Sequence, residues 1–413
     1  METTDRHQSA PIFIVGSPRS GTSILTWCLG QHPNILPLEE SDWMGQFAVN
    51  VGAHYVTGCT RGERSQLAAL GVKRAEFFRS FGDGIDRLLH DHRGRLEAIS
   101  HASAQRNPLQ VSAGFSVSRG SDEPKSRWVD GTPEYSLYIC GLHKLFPDAR
   151  FVHIVRDVHD VVASMLGFHQ HDGSPLAESM QQACAYWLRT VQACVLAEQA
   201  LGGDVVCRVQ YADLIARPES TLRDVFAFLH EPFMPVCLEP MHRRINSSRG
   251  EDAAKPVVAK NDADLTGQAR QLSERLRQPF FAGPPSVQAL AQFEADFDAR
   301  VKYIMQLDAQ HQLAQQTIAR LDRQVAGVQA HVQQQDLQIL GLSTRLNWCG
   351  VLLALQFLLA IAVNLRATAT NSAELWLAVA FAGAIAYLWL RRAGLRCRFK
   401  RFLARRIAMK TMD

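Results

Sequence analysis

Two short apolar runs, Ile12-Phe-Ile-Val15 and Phe151-Val-His-Ile-Val155, punctuate the first part of the chain. Each is followed by a stretch with helical spacing, which is the order of a parallel sheet whose strands are buried on both faces. A third run, Val205 to Val209, precedes Tyr211 and another helical stretch. The pattern predicts an α/β fold, a parallel sheet flanked by helices, over residues 1–297. From about Gly45 to Arg127 the chain is rich in Gly, Arg and His and less regular. That region predicts helices and loops inserted over the sheet edge.

The apolar period then changes. From Ile304 the apolar positions step by three and four through Leu307, His311, Ala314, Ile318, Leu321, Val325, Val328, Val332, Gln335, Ile339, Leu342 and Leu346; eleven of these thirteen are apolar. Such a heptad predicts a coiled coil over residues 298–346, and its mixture of β-branched and Leu core positions predicts a parallel homodimer. At about 1.5 Å per residue the stalk would be roughly 65 Å long. The alternative is one amphipathic helix folded back on the globular part, and Gly327 and Gly341 each weaken a helix by roughly 1 kcal/mol. Two uncharged apolar runs follow, Trp348 to Leu365 and Leu375 to Leu390. They predict a two-helix transmembrane hairpin over 347–391, with spans near the lower length limit.

Charge sharpens this division. The 413 residues carry a formal +4, but the segment from Arg391 to Asp413 holds nine Lys/Arg and one acid. The body is therefore mildly acidic, which excludes a general polyanion binder and predicts no nucleic-acid partner. The basic tail, 392–413, predicts a multi-pass protein of the cell (inner) membrane with tail and N-terminal domain both in the cytoplasm. Nine scattered cysteines with no C-x-x-C spacing argue against a disulfide framework, a zinc ribbon and a redox pair. Met1 to Pro11 lacks the apolar centre of a secretory leader. His90 with His92 and His169 with His171 lack an obvious third ligand, so they read as solvated surface residues, and no metal is predicted.

The chemistry starts after the first run, at Gly16-Ser-Pro-Arg-Ser-Gly-Thr-Ser23. Gly16, four intervening residues and Gly21 followed by Thr22-Ser23 match a phosphate-binding loop, with Thr22 where such loops carry Lys and Arg19 inside the loop. The missing Lys argues against ATP or GTP hydrolysis, while helix-start amides, hydroxyls and a guanidinium still suit an anion. Pro18-Arg-Ser-Gly-Thr-Ser23 resembles the 5′-phosphosulfate loop of sulfotransferases that use 3′-phosphoadenosine 5′-phosphosulfate (PAPS). Phe151-Val-His-Ile-Val-Arg-Asp157, followed by Asp160-Val-Val-Ala-Ser164, is similar to that family's 3′-phosphate motif, which makes Arg156 and Ser164 its phosphate grip. Val209-Gln-Tyr-Ala-Asp-Leu214, with Pro218 and Phe226-Ala-Phe-Leu229, is similar to a third family segment and carries over Tyr211. Phe146-Pro-Asp-Ala-Arg-Phe151 also fits, and the likeness covers roughly residues 11–260.

The resemblance implies a P-loop-like fold, PAPS as sulfate donor, and a donor site made of Arg19, Ser20, Gly21, Thr22, Ser23, Arg156, Ser164 and Tyr211. His32-Pro-Asn-Ile-Leu-Pro-Leu-Glu-Glu-Ser41 resembles the protein-tyrosine sulfotransferase pattern in which the second Glu of a pair is the catalytic base. That makes Glu40 the expected base, with Glu39 its competitor, and Arg19 the expected stabiliser of the transferring group. Many relatives carry Lys before a Thr-Pro pair, where this chain has Asp130-Gly-Thr-Pro133, so Gly131 supplies no charge. Arg19 alone, or Lys125 or Lys144, would have to compensate. Asn246 to Lys255 is a loosely matched cap over the nucleotide. The expected acceptor is a carbohydrate, lipid or peptide hydroxyl, with a glycan or lipid preferred on location. The competing functions are a P-loop nucleotide kinase or NTPase and a decayed, non-catalytic membrane scaffold.

Overall fold

The structure, a computed structural model, describes residues 10–38, 40–92, 126–169, 174–242, 263–278, 283–368 and scattered positions within 376–391. Five parallel strands form one sheet: β1 (Ile12–Val15), β2 (Ile35–Pro37), β3 (Arg127–Asp130), β4 (Arg150–Val155) and β5 (Val206–Gln210), in the order β2-β3-β1-β4-β5. The parallel α/β expectation is met, and β1, β4 and β5 fall on the three apolar runs. β2 and β3 were not foreseen. β2 is three residues long and ends in Pro37, which an edge strand tolerates. β3 begins and ends in charge, Arg127 and Asp130.

Alternation along β1 builds two cores. Phe13 and Val15 face one side, where Phe13 lies 5.3 Å from both Trp128, edge-on, and Phe151, stacked. That layer takes α2 (Met44–Cys59), α4 (Arg74–Asp91), α5 (Ile139–Leu145) and part of α7 (Met180–Leu201). Ile12 and Ile14 face the other side, against α1 (Thr22–Gly30), α8 (Tyr211–Ala216) and α9 (Pro218–Leu229). A third cluster joins α6 (Val158–Leu166), α7 and α10 (Ala263–Leu276). Between α2 and α4 lies the short α3 (Gln66–Ala69). Residues 44–91 are thus mostly regular helix, more ordered than their composition predicts.

Among the described residues, Arg127, Glu198 and His153 are charged or titratable groups that the core encloses and engages. Arg127 donates to the carbonyls of Ala10 (2.7 Å) and Leu229 (2.6 Å), and it lies 3.3 Å from Glu231. Glu231 also accepts from Asn34 at 2.9 Å, so the loop that leads into β2 is tied to the end of α9. On the opposite face His153 of β4 is fully buried, with Nδ1 2.7 Å from Glu198 of α7, and Arg208 of β5 clamps the same carboxylate.

The chain divides into two compact units, Met1–Ala309 and Gln310–Asp413. The last helix, α11, runs from Val287 to Thr368. Its first turns belong to the core of the first unit, through Ala289, Phe293, Phe297 and Val301, with Ile304 and Met305 packed alongside. The helix therefore starts before residue 298, and it covers the whole heptad. Beyond Ala309 the heptad side chains Ile318, Leu321, Val325, Val328, Val332, Ile339, Leu342 and Leu346 are exposed. The later part of α11 is long and apolar enough to cross a membrane and is unburied. Much of the second apolar run, the basic tail, Glu39, Lys125 and the segment Asn246–Lys255 lie outside the described residues.

Glu198→Ala leaves Arg208 and His153 without their shared carboxylate, and it should lower stability by about 3–5 kcal/mol in denaturant unfolding. The same pair sets a pH dependence. Burial alone would depress His153, but Cys194 and Glu198 push it up to about 9 from 6.5. Its stabilisation is then whole below about pH 6.5 and fades as pH rises through about 9. Unfolding midpoints measured from pH 6 upward should show that alkaline loss in the parent chain and not in Glu198→Ala.

Candidate active site at the carboxyl edge of the sheet

All five strands run the same way, so their carboxyl ends share one edge, and the strand order reverses about β1, where folds of this type bind ligands. β1 delivers Gly16, β3 Gly131, β4 Arg156 and β5 Tyr211, while β2 leads within three residues to Glu40. The sequence-predicted site residues are thereby brought together from distant parts of the chain.

The loop from Gly16 to Gly21 is fixed at both ends. The Gly16 N–H donates to Ser136 Oγ at 2.8 Å, and the Ser136 hydroxyl lies 2.7 Å from the Gly16 carbonyl and 2.6 Å from that of Pro133. Gly16 has no room for a side chain, because a Cβ would sit 2.5 Å from the Ile154 carbonyl oxygen. At the other end Gly21 adopts φ 103°, which favours glycine, and a Cβ there would lie 2.5 Å from the Tyr211 ring. Gly21 begins α1 with no side-chain cap, which leaves the first-turn amides for an anion. Ser20 and Thr22 are buried, Ser23 is half-buried, and Thr22 O accepts from Thr26 Oγ1 at 2.9 Å. Ser17 Oγ is buried with no hydrogen-bond partner among the described residues, a cradle hydroxyl that motif matching did not single out.

Arg19 has φ 70°, a left-handed conformation that costs an L-residue about 1–2 kcal/mol. Its carbonyl accepts from Arg156 Nη1 at 3.1 Å, its Nε donates to Ser164 Oγ at 3.1 Å, and its guanidinium lies 4.3 Å over the Phe168 ring. Arg156 in turn stacks 4.7 Å over Tyr211. Burial, together with the neighbouring Arg156, lowers the Arg19 pKa, and Glu40 opposes that fall. Two cations held side by side on one edge form a site shaped for a polyanion. Uncapped α1, the orphan Ser17 hydroxyl and this cation pair fit a phosphosulfate and a second phosphate.

Glu40 is held from behind. The segment after it is pinned to the turn that follows β3: Ser41 Oγ lies 2.5 Å from Tyr135 Oη, and Tyr135 Oη accepts from the Met44 N–H at 2.9 Å. The residue remains open to solvent, but its carboxyl is partly stripped of water and crowded by Glu134, Asp130 and Asp42. Desolvation and those neighbours push it up to about 7, against the pull of Arg19. That value suits a general base near neutral pH. Glu134, in the turn after β3, accepts from Tyr186 Oη of α7 at 2.7 Å, so that turn adds a second carboxylate beside the base that motif reading missed.

Gly131 stands against α1: a Cβ there would collide with Thr26 Oγ1. Lys144 is paired with Glu294 of α11 at 2.6 Å and lies near Phe297. Among the described residues, Arg19 is the cation whose charge acts on Glu40.

A parallel sheet with a glycine-bounded loop, paired guanidinium groups and a raised carboxylate on one edge defines an α/β protein with a site suited to an anion. A profile of the sulfotransferase family matches residues 11–235, more than half of the chain, and the chain belongs to that family. It is 25% identical over 233 residues to a protein-tyrosine sulfotransferase of Drosophila melanogaster, covering 55% of this chain and 39% of that one. It is 24% identical over 252 residues to protein-tyrosine sulfotransferase 1 of Danio rerio, covering 61% of each. The chain therefore spans less than two thirds of the length of these relatives. Among solved structures, the sulfotransferase domain of the olefin synthase from Synechococcus PCC 7002 matches with 18% identity and a TM-score of 0.34, over 74% of this chain and 98% of that one.

The charges around Glu40 can be separated by titration. Glu134→Gln should lower the Glu40 midpoint, and Arg19→Gln should raise it, in a carbon-13 NMR titration of labelled glutamate carboxyls. A midpoint that ignores both changes would detach Glu40 from this cluster.

Proposed function

We propose that this chain is a membrane-anchored sulfotransferase that moves a sulfuryl group from PAPS to an acceptor hydroxyl, a glycan or lipid in preference to a peptide. The observation that carries the reading is the convergence of Arg19, Arg156, Ser164 and Tyr211 with uncapped α1 and Glu40 on one sheet edge. Ser17, Ser20, Gly21, Thr22, Ser23 and the α1 amides would hold the 5′-phosphosulfate, and Arg156 with Ser164 the 3′-phosphate. Glu40 takes the proton of the acceptor hydroxyl, whose oxygen forms a bond to sulfur as the bond from sulfur to the bridging phosphate oxygen breaks. Arg19 and the α1 amides meet the negative charge that collects on the departing phosphate. The products are a sulfate ester and adenosine 3′,5′-bisphosphate. No step is assigned to a metal.

Anchoring is supported by the apolar later part of α11, and a parallel homodimer by its exposed heptad. The second span and the hairpin rest on the apolar run from Leu375 to Leu390, and the cytoplasmic placement at the inner membrane on the charge pattern. Gly131 is the observation that favours a second reading, a non-catalytic scaffold that retains only the donor site.

Labelled sulfate should pass from PAPS to a membrane or glycan fraction, and adenosine 3′,5′-bisphosphate should bind more tightly than ATP in calorimetry. Tighter ATP binding would sink the donor assignment. Glu40→Gln should keep bisphosphate binding while lowering turnover by about 10²–10⁴-fold. The parent kcat/KM should rise as Glu40 loses its proton, through a midpoint near pH 7. Binding without any transfer would favour the scaffold.

A further inference from the structure

Next to the base, α2 and α4 expose an aromatic strip that no step above uses. Trp43, at the start of α2, and Phe47 are four residues apart, and Phe77 and Phe81 are four apart on α4, so each pair comes to one side of its helix. The rings step from Trp43 to Phe47 at 5.7 Å, to Phe81 at 5.9 Å, to Phe77 at 5.0 Å and to Tyr55 at 5.5 Å. Trp43 is 44% exposed and Phe81 38%. The strip starts three residues beyond Glu40, and the same Tyr135 hydroxyl that braces Ser41 receives the Met44 N–H. It is thus continuous with the acceptor side of the site.

Two observations select its occupant. Two polar side chains along the strip are already engaged: Gln46 Nε2 donates to Asn50 at 3.2 Å, and Tyr55 Oη donates to the Val72 carbonyl at 3.1 Å. A sugar chain would need such groups, whereas a hydrocarbon needs none. At the base end Glu134, Asp130 and Asp42 surround Glu40, with Arg19 the cation that opposes them. An acceptor carrying negative charge beside its hydroxyl is repelled there. Resting on the sulfotransferase reading, we propose that the acceptor is an uncharged amphiphile, its hydroxyl on a neutral head at Glu40 and its alkyl body along Trp43, Phe47 and Phe81. An acidic tyrosine peptide is the acceptor this surface rejects.

The test is photolabelling of the full chain in lipid nanodiscs with an alkyl glucoside that carries a diazirine in its chain. Labelled peptides are read by mass spectrometry, and binding of adenosine 3′,5′-bisphosphate is measured in parallel. Label should fall on peptides from 43–59 and 74–91, and unlabelled dodecyl glucoside should compete it away while an acidic tyrosine peptide does not. Trp43→Ala with Phe81→Ser should cut this label about tenfold, as expected for losing two apolar contacts, without changing bisphosphate binding. Leu70→Ser, at an exposed apolar position off the strip, should leave the label intact. Label confined to α11 beyond Trp348, equal loss in Leu70→Ser, or competition by the acidic peptide would overturn the proposal. Lost bisphosphate binding in the parent chain with the strip still labelled would instead sink the donor reading and leave the strip standing.

Discussion

The site depends on the parallel register of β1 between β3 and β4. Ile12 pairs with Val129 on one side and Arg150 on the other, and Val15 pairs with His153. A slip of one residue would turn Phe13 away from Trp128 and Phe151 and put Ile12 and Ile14 in their place. It would also pull Gly16 from Ser136 and from the Ile154 carbonyl, on which the loop closes. Packing and phosphate recognition are therefore set by the same alignment. The Tyr211 ring against Gly21 extends that coupling to β5, so the edge strand senses the shape of the loop.

Electrostatics explains why these groups tolerate one another. Burial and the neighbouring Arg156 disfavour the charge on Arg19, and a left-handed backbone at Arg19 adds to the cost. Part of that cost is offset by the bond from Arg156 to the Arg19 carbonyl and by the rings of Phe168 and Tyr211. Glu40 and the ion pair of Arg156 with Asp160 at 3.7 Å offset more of it, and a bound anion would offset it further. Glu40 stands in the opposite relation: burial and its acidic neighbours hold its proton until near neutral pH, against the pull of Arg19. Arg19 is common to both halves. Gly131 reinforces this division of labour, because the space for a side chain there is taken by Thr26.

What the sequence disclosed follows from how local each signal is. Ile12–Val15 is an uninterrupted apolar strand and Arg150–Val155 a mostly apolar one, each beside a glycine or arginine motif, so the fold and the place of the loop were legible. β2 and β3 were not, because three or four residues with Pro37, Arg127 and Asp130 carry no period. Arg127 is acceptable in a strand only because carbonyls at Ala10 and Leu229 and the Glu231 carboxylate meet it from distant positions. Ser136 and Phe168 were hidden for the same reason: their partners, Gly16 and Arg19, are far off in sequence. The strip beginning at Trp43 was partly visible as two four-residue aromatic spacings, but nothing local says that the two helices lie together.

The last helix shows how one periodicity can serve two purposes. Its first turns carry Ala289, Phe293, Phe297 and Val301 into the core, where Gly52 and Gly141 leave room for Val301 and Phe297. The same spacing continues past Ala309 into side chains that stay exposed. Helices hold their shape mainly by packing an apolar face, and Gly327 and Gly341 each weaken this one by roughly 1 kcal/mol. An unpacked helix with two such positions would gain nothing from keeping Ile318, Leu321, Val325, Val328 and Val332 in step. The stripe becomes stabilising once a second copy supplies the facing knobs and holes. In the proposed parallel dimer the heptad would be favourable through that packing, independent of any chemistry at the sheet edge.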